Sequence, residues 1–301
     1  MSTELSGVLL LNKPQGKTSH DLVGAVRRLY HTRRVGHTGT LDPMATGVLV
    51  MLIGRAAKAA EYLSVKSKSY RAVMRLGLTT DTEDTTGKTL TVSGDIPTSA
   101  RVIEVASGFV GEILQTPPMY SALKVNGQKL CDLARKGIEI EREARPVTIH
   151  AISCKHLEEN DYELLVSCSS GTYIRTLCAD IGKALGCGGA MAALCRTETG
   201  GFPLADCHTI EELDALTDQE RAALLLPTEQ LFCELDCVRL PAFFEKLCRS
   251  GCEIYQKKIG TDLPLGTRVR LCNEKGEFFA IGEVREYENG TAVKSVKMFD
   301  I

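Results

Sequence analysis

The spacing of apolar residues predicts that the chain begins with a strand, a turn and a helix. The run from Gly7 to Asn12 has the length of a buried strand, and Pro14 and Gly16 favour a turn after it. Thr18 and Ser19 are residue types that cap helices. The apolar positions of the helix that follows fall on one face: Leu22, Val23, Val26 and Leu29.

The next segments predict another buried strand at 48–54, a helix at 55–63 and a third strand at 68–77. Apolar and polar residues alternate in the third strand, which is the period of a half-buried strand. The loop "TTDTEDTTG" then follows it. We expect Glu83 and Asp84 in this loop to be solvated residues of a hairpin connection.

The second half of the chain predicts a binding segment, a strand-turn-helix unit and a small β module. Residues 117–146 are basic and irregular, which is typical of a segment that binds a partner or moves. A strand, a turn at Gly171 and a helix come next, and two helical stretches cover about 209–226. A boundary near 230–240 separates them from short strands that indicate a small all-β module.

Length and charge change this picture in two ways. A chain of 301 residues favours about two domains, and we expect them at 1–235 and 238–301. The net charge of −2 carries no information about partners, but its distribution does. Residues 1–75 hold twelve Lys or Arg against four Asp or Glu, which indicates a polyanion-binding face.

The chain's beginning and its lack of a membrane span predict a cytoplasmic protein, which bears on its twelve cysteines. The polar start "MSTELSG" does not resemble a signal peptide, and no apolar stretch is long enough to span a membrane. Thiols stay reduced in the cytosol, so we expect most of the cysteines to be small buried hydrophobes. Four of them have spacings unlike the usual zinc knuckle, and we expect no metal there: Cys233, Cys237, Cys248 and Cys252.

The loop "GHTGTLDPMATG" at 36–47 contains a single acid, Asp42. It lacks the lysine of a P-loop and the glycine spacing of a dinucleotide site, and His37 alone cannot complete a metal site. Pro43 restricts the backbone of Asp42 to extended geometry. A carboxylate held in this way can act as a nucleophile or stabilise a cation, but it can equally cap an element or close an Asx turn.

Five segments resemble the bacterial tRNA pseudouridine synthase B family. "GHTGTLDPMATGVLVMLIG" resembles its signature motif, and all five segments occur along the chain in the family's order. They are "LLLNKPQGKTSHD", "KSYRAVMRLGLTTDTEDTTG", "QTPPMYSALKVNGQKL…ARKG" and, in two parts, "SSGTYIRTLCADIGKALGCGG" with "LCRTETG". The C-terminal "LPLGTRVRL" and "GEFFAIGEV" resemble the family's small PUA-like domain.

The resemblance implies an α+β fold with a central mixed, mainly antiparallel sheet flanked by helices, followed by the all-β PUA-like domain. It implies isomerisation of the tRNA uridine conventionally numbered 55, in the TΨC arm, without cofactor or metal. By resemblance, Asp42 is the catalytic aspartate, Arg175 its partner and Tyr70 the active-site tyrosine. Whether the carboxylate attacks C1′, attacks uracil C6 or takes a proton from C2′ stays open.

The resemblance also implies how RNA is held. Tyr173 and Leu194 match positions that wall the uracil pocket, and His37 matches a histidine that packs against displaced nucleotides. The target base must flip out of its loop, at a cost of about a few kcal/mol. Phosphate contacts can offset that cost, and six cations are candidates by charge and position: Lys13, Arg33, Arg34, Lys58, Lys68 and Lys124.

The chain departs from the family pattern at Cys131, Cys195 and "GGAMAAL", which lie outside the residues assigned to bond chemistry. Two other functions stay open: an RNA-binding or RNA-folding protein, and a guide-RNA-dependent relative of the box H/ACA type. The chain lacks the basic extensions of the second class. We expect a monomer that binds the TΨC arm and, through its C-terminal domain, the acceptor stem.

Overall fold

A computed structural model describes residues 5–62, 67–125 and 127–299 of the protein. The strands are β1 (Gly7–Lys13), β2 (Val35–His37), β3 (Thr46–Ile53), β4 (Lys68–Leu76), β5 (Leu78–Thr80), β6 (Thr89–Val92), β7 (Gly111–Gln115), β8 (Lys124–Val125), β9 (Gln128–Lys129), β10 (Arg145–His156), β11 (Asp161–Cys168), β12 (Gly189–Thr199), β13 (Phe202–Pro203), β14 (Asp236–Arg239), β15 (Ile254–Tyr255), β16 (Arg268–Cys272), β17 (Phe278–Tyr287) and β18 (Gly290–Met298).

The α-helices are α1 (Ser19–Leu29), α2 (Ser99–Ser107), α3 (Leu130–Ala134), α4 (Ile174–Leu185), α5 (Ile210–Ala215), α6 (Asp218–Ala223), α7 (Ala242–Arg249) and α8 (Gln256–Ile259). Three 3₁₀ helices lie at Gly54–Glu61, Leu204–Asp206 and Thr228–Phe232. The helix expected at 55–63 is therefore the first of these 3₁₀ helices, and Leu63 lies outside the described residues.

A nine-stranded mixed sheet forms the centre of the fold. Its order is β1-β3-β12-β4-β11-β10-β7, with β2 added to β3 and β13 to β12. The β3–β12 pairing is parallel, whereas the other pairings in this sheet are antiparallel. The predicted fold class, with a mainly antiparallel mixed sheet flanked by helices, is confirmed.

Helices cover the central sheet because each has one apolar face. The Thr18 side chain caps α1 and forms a reciprocal capping box with Asp21. The buried face of α1, including Leu22 and Val26, packs on β1 and β3. Helices α2 and α4 pack on β4, β10, β11 and β12 through a second cluster, to which Leu177 and Ile181 belong. Burial of these faces positions α4 beside the loop that contains Asp42.

The C-terminal strands form a separate five-stranded sheet in the order β14-β16-β17-β18-β15. Two short helices, α7 and α8, accompany this curled sheet and were not predicted from the sequence. A shared cluster joins the two sheets: Leu10 and Val50 pack with Phe232, Ile281 and Phe299. The division at 235–238 stays a prediction, because this cluster spans the expected boundary.

Among residues 5–62, 67–125 and 127–299, no helix has the length and apolar character that crossing a membrane requires.

Gly47 allows β3 and β12 to come together. Its φ is +102°, and a Cβ built there would lie 2.2 Å from the backbone oxygen of Arg196, its partner across the parallel pairing. Residues other than glycine rarely adopt this backbone conformation. The added Cβ would also clash with the backbone of Arg196, which cannot rotate away as a side chain could. The residue at 47 must therefore be glycine for the strands to keep this register.

We predict that Gly47→Ala lowers the free energy of unfolding by about 3 kcal/mol, because it adds overpacking to backbone strain. Gly201→Ala is the matched control, since Gly201 has φ +84° but open space where its Cβ would lie. The control should lose about 1 kcal/mol, from the strain alone. Equal losses in urea denaturation of the two variants would contradict this account.

Candidate active site

The loop at 38–45 joins β2 to β3 and is fixed by side chains from two other elements. Ser19, in the first turn of α1, exchanges two hydrogen bonds with Leu41: its Oγ accepts from the backbone N–H at 2.9 Å and donates to the carbonyl at 3.2 Å. Lys13, at the end of β1, donates from Nζ to the carbonyls of Pro43 (3.3 Å) and Ala45 (2.6 Å). The loop is therefore a rigid support for Asp42.

Arg175 pairs with Asp42 through both carboxylate oxygens. Its Nε lies 3.0 Å from Oδ2, and its Nη2 donates to Oδ1 at 3.4 Å. The arginine side chain is only 6% exposed, whereas that of Asp42 is 36% exposed, so the carboxylate can still be reached from solvent. The planar guanidinium fork fixes the orientation of the carboxylate, which a lysine could not do.

The other donors of Arg175 bind two further segments. Nη1 donates to the carbonyl of Thr82 at 3.1 Å and lies 3.8 Å from Oδ2 of Asp84, whose side chain is 7% exposed. Nη2 also donates to the carbonyl of Tyr120 at 2.9 Å. Arg175 therefore connects the Asp42 loop, the turn after β5 and the start of the segment at 117–146.

The expectation that Glu83 and Asp84 are solvated is wrong. Asp84 is buried and accepts from the hydroxyls of Thr82 and Thr86 and from the backbone N–H of Thr86. Glu83 accepts from the Thr176 hydroxyl at 2.5 Å, and burial raises the pKa of its carboxyl. The many threonines of this loop were the missed signal, since their hydroxyls can satisfy acids that the fold buries.

Burial raises the pKa of Asp42 above its ordinary value of 3.8. The guanidinium of Arg175 opposes that rise most strongly, Asp84 adds to it and Lys13 opposes it. Arg175 and Lys13 therefore favour the ionised carboxylate in an environment that otherwise disfavours charge.

The predicted pocket residues lie around this pair. Tyr70 is buried on β4, where Arg196 is its cross-strand neighbour on β12, and burial raises the pKa of its phenol. Leu194 is buried in the same apolar cluster as Tyr70. Tyr173 precedes α4, and Gln115 holds its backbone N–H at 2.7 Å and its carbonyl at 3.1 Å. Side chains of these aromatic and apolar types are ones on which a planar base can pack.

His37, at the end of β2, is half-buried, and its Nδ1 has no hydrogen-bond partner among the residues that the structure describes. Burial, with Arg196 and His20 nearby, lowers the pKa of its ring. A neutral ring suits packing against a nucleotide better than it suits a phosphate contact.

The prediction that Lys13 contacts phosphate is wrong. Its side chain is fully buried, its Nζ donates to the backbone carbonyls of Pro14, Pro43 and Ala45, and burial lowers its pKa to about 8. Lys68 is half-buried beside the loop, where its Nζ donates to Ser170 Oγ at 3.3 Å. Arg33, Arg34 and Lys124 are exposed and Lys58 is half-buried; their phosphate contacts stay predictions.

Sequence reasoning missed Arg196, the largest of the fully buried side chains. It lies on β12 two residues after Leu194, with its guanidinium against Gly39, Thr40 and Val48. The signal available was its spacing from Leu194, because residues two apart on a strand share a face.

The described part of the chain contains no group of three or more His, Cys, Asp or Glu arranged to hold a metal ion. Of the four cysteines weighed as zinc ligands, Cys237 instead has its Sγ 3.1 Å from that of Cys272.

Two solved structures share this fold. A Cbf5-Nop10-Gar1 complex contains a chain with a TM-score of 0.70 and 27% identity, covering 97% of this chain and 84% of that one. An H/ACA RNP bound to a substrate RNA containing 2′-deoxyuridine gives a TM-score of 0.73 at 24% identity, over 98% and 85% of the two chains.

Sequence comparison identifies the family. The model of the TruB family pseudouridylate synthase N-terminal domain matches residues 27–174, and that of the tRNA pseudouridylate synthase B C-terminal domain matches residues 175–232. A tRNA pseudouridine synthase B of Methylobacillus flagellatus is 42% identical, over 93% of this chain and 91% of its own length. The protein of that name from Clostridium kluyveri is 41% identical, over 98% and 100%. The chain belongs to the TruB family of pseudouridylate synthases and is therefore an RNA-modifying isomerase.

We predict that the Asp42 carboxyl, followed by ¹³C NMR, titrates above 3.8 in the folded protein, because burial outweighs its cationic neighbours. Arg175→Met should raise that pKa further, since it removes the strongest opposing charge. Lys183→Met, which removes a cation from the last turn of α4, should leave it unchanged. A wild-type Asp42 that titrates below 3.8 would show that the ion pair, and not burial, dominates.

Proposed function

We propose that this chain converts uridine 55 in the TΨC arm of tRNA to pseudouridine, with Asp42 as the catalytic carboxylate. One observation carries the proposal: in a chain of the TruB family, a bidentate arginine orients a carboxylate that remains accessible on a rigid glycine-rich loop. The relatives named above are tRNA pseudouridine synthases B and align over nearly the whole chain.

The reaction detaches uracil from C1′ and reattaches it through C5, so the chain must hold both the ribose and a freed base. Asp42 is ionised when it meets the nucleotide, and acts at C1′, at uracil C6 or on the C2′ proton. Arg175 holds the carboxylate in one orientation, and this reduces the entropic cost of reaching the transition state. Tyr70 stacks on the base and its hydroxyl takes part in proton transfer at C5, while Leu194 and Tyr173 wall the pocket.

The RNA must present its target as an extruded base, because the carboxylate is only partly exposed and lies beside the buried Arg175. The basic face of residues 1–75 supplies phosphate contacts through Arg33, Arg34, Lys58 and Lys68. The segment at 117–146, with Lys124, lies next to the site through Tyr120 and can close on the RNA. The C-terminal sheet serves as a PUA-like domain that contacts the acceptor stem.

A guide-RNA-dependent enzyme is the second candidate, because the solved fold neighbours include a Cbf5-Nop10-Gar1 complex. Identity favours the first candidate. The matches at about two-fifths identity carry the name tRNA pseudouridine synthase B, whereas that neighbour is 27% identical.

Asp42→Asn should abolish the release of tritium from tRNA labelled at uridine C5, with a loss above about 10³-fold, while tRNA binding remains. Asp214→Asn is the control: it removes the same charge from an exposed ion pair with Arg28, and should release about one equivalent like the wild type. Full turnover by Asp42→Asn would contradict the assignment of Asp42 as the catalytic carboxylate. A wild type that binds tRNA but releases no tritium would support an RNA-binding protein instead.

Arg175→Lys should bind tRNA but isomerise about 10²-fold more slowly, because one ammonium cannot form the bidentate pair with Asp42. The measurement is the single-turnover rate at saturating enzyme, with Lys183→Arg as a control on the same helix. An unchanged rate in Arg175→Lys would contradict the positioning role.

The target and the need for a guide are tested with one transcript. Purified protein and unmodified tRNA, without any other RNA, should release tritium, and a transcript with cytidine in place of uridine 55 should release none. Release that requires an added guide RNA would favour the second candidate, and undiminished release from the cytidine transcript would place the target elsewhere in the tRNA.

A further inference from the structure

Arg196 is a fully buried cation whose partners within the described residues are oxygens that carry no formal charge. It is 1% exposed. Its Nε donates to the carbonyl of Val48 at 2.8 Å, and its two Nη atoms donate to those of Gly39 (3.1 Å) and Thr40 (3.4 Å). Burial without a carboxylate costs free energy that better-packed apolar side chains would not. A function in the adjacent site would explain why the cation lies here.

The first consequence of its position is mechanical. Gly39 and Thr40 lie in the loop that carries Asp42, and Val48 lies in the strand that follows this loop. The guanidinium therefore reaches from β12, the strand paired with β3, and connects the start of the loop to the strand that follows it. A Cβ on Gly39 would lie 3.7 Å from an Nη atom of Arg196, so the loop backbone packs directly on this side chain.

The second consequence concerns Tyr70, which is the cross-strand partner of Arg196 on β4. Residues directly opposite each other on antiparallel strands have neighbouring side chains on one face of the sheet. Arg196 therefore places a buried positive charge beside Tyr70, and this charge opposes the rise that burial causes in the pKa of the phenol.

We propose that Arg196 is a positioning residue for the isomerisation: it fixes the loop that holds Asp42 and places its positive charge beside Tyr70. The inference rests on the proposed function of the site. It adds a single buried cation that constrains the loop and acts on the phenol through its charge. Its charge also stabilises negative charge that develops on the Tyr70 oxygen during proton transfer.

The test compares Arg196→Lys with Arg221→Lys. Arg221 is also mostly buried and donates to backbone carbonyls, including that of Leu213 at 2.9 Å, but on α6, which contributes no residue to the site. Both variants should lower the melting temperature. In Arg196→Lys alone, single-turnover tritium release should fall about 10²-fold with the Kd for tRNA unchanged, because one ammonium cannot replace the planar fork that holds the carbonyls of Gly39, Thr40 and Val48.

A double-mutant cycle separates positioning through Tyr70 from a merely structural role. If Arg196 acts partly through the phenol, Arg196→Lys should cost less in a Tyr70→Phe background than in the wild type. Amide exchange of Leu41 and Ala45, measured by NMR, should be faster in Arg196→Lys than in Arg221→Lys, because the loop is less constrained.

Three results would overturn the inference while leaving the proposed function intact, provided that the wild type releases tritium in the same assay. They are an unchanged rate in Arg196→Lys, a fully additive cycle with Tyr70→Phe, and unchanged exchange in the loop. A wild type that releases no tritium would instead remove the proposed function on which the inference rests.

Discussion

A buried guanidinium must satisfy its donors, and that requirement at Arg175 organises the site. Its donors reach the Asp42 carboxylate, the carbonyls of Thr82 and Tyr120, and the vicinity of Asp84. These partners come from three segments of the chain, so none of the segments can shift without leaving a donor unpaired in a poorly solvated place. The same contacts that stabilise the cation therefore fix the carboxylate and bring the irregular segment at 117–146 to the edge of the pocket.

The site balances two opposing effects on one carboxylate. Burial favours the neutral acid, and so does Asp84 nearby, whereas Arg175 and Lys13 favour the ionised form. A carboxylate that water solvated fully would be ionised but would lose reactivity to its hydration shell. Burial removes much of that shell, and Arg175 and Lys13 offset part of the cost that burial adds to the charge. Asp84 has a second effect, because it shares Arg175 and prevents Asp42 from being its only anionic partner.

The residues that the resemblance singled out lie close together in the fold. Asp42 pairs with Arg175, and Tyr70 packs in the cluster that contains Leu41 and Ala45 of the Asp42 loop. Charge and location along the chain led to the prediction that Lys13 contacts phosphate and that Asp84 is solvated. Both errors have one cause: a charged residue in a loop or at a strand end can point either way, and the choice depends on whether the fold offers it partners. Lys13 meets backbone carbonyls of the loop, and Asp84 meets threonine hydroxyls and Arg175.

The sequence by itself determined the local elements and the loop. Apolar periodicity, the Thr18 cap and the glycines around Asp42 act over a few residues, so they can be read along the chain. Only the tertiary structure decided the parallel pairing of β3 with β12, which brings Arg196 and Gly47 together across 149 positions of the chain. It also decided which cations are buried and whether the C-terminal sheet packs on β1 and β3. These outcomes depend on contacts between distant segments, and local spacing carries no information about which distant segment supplies a partner.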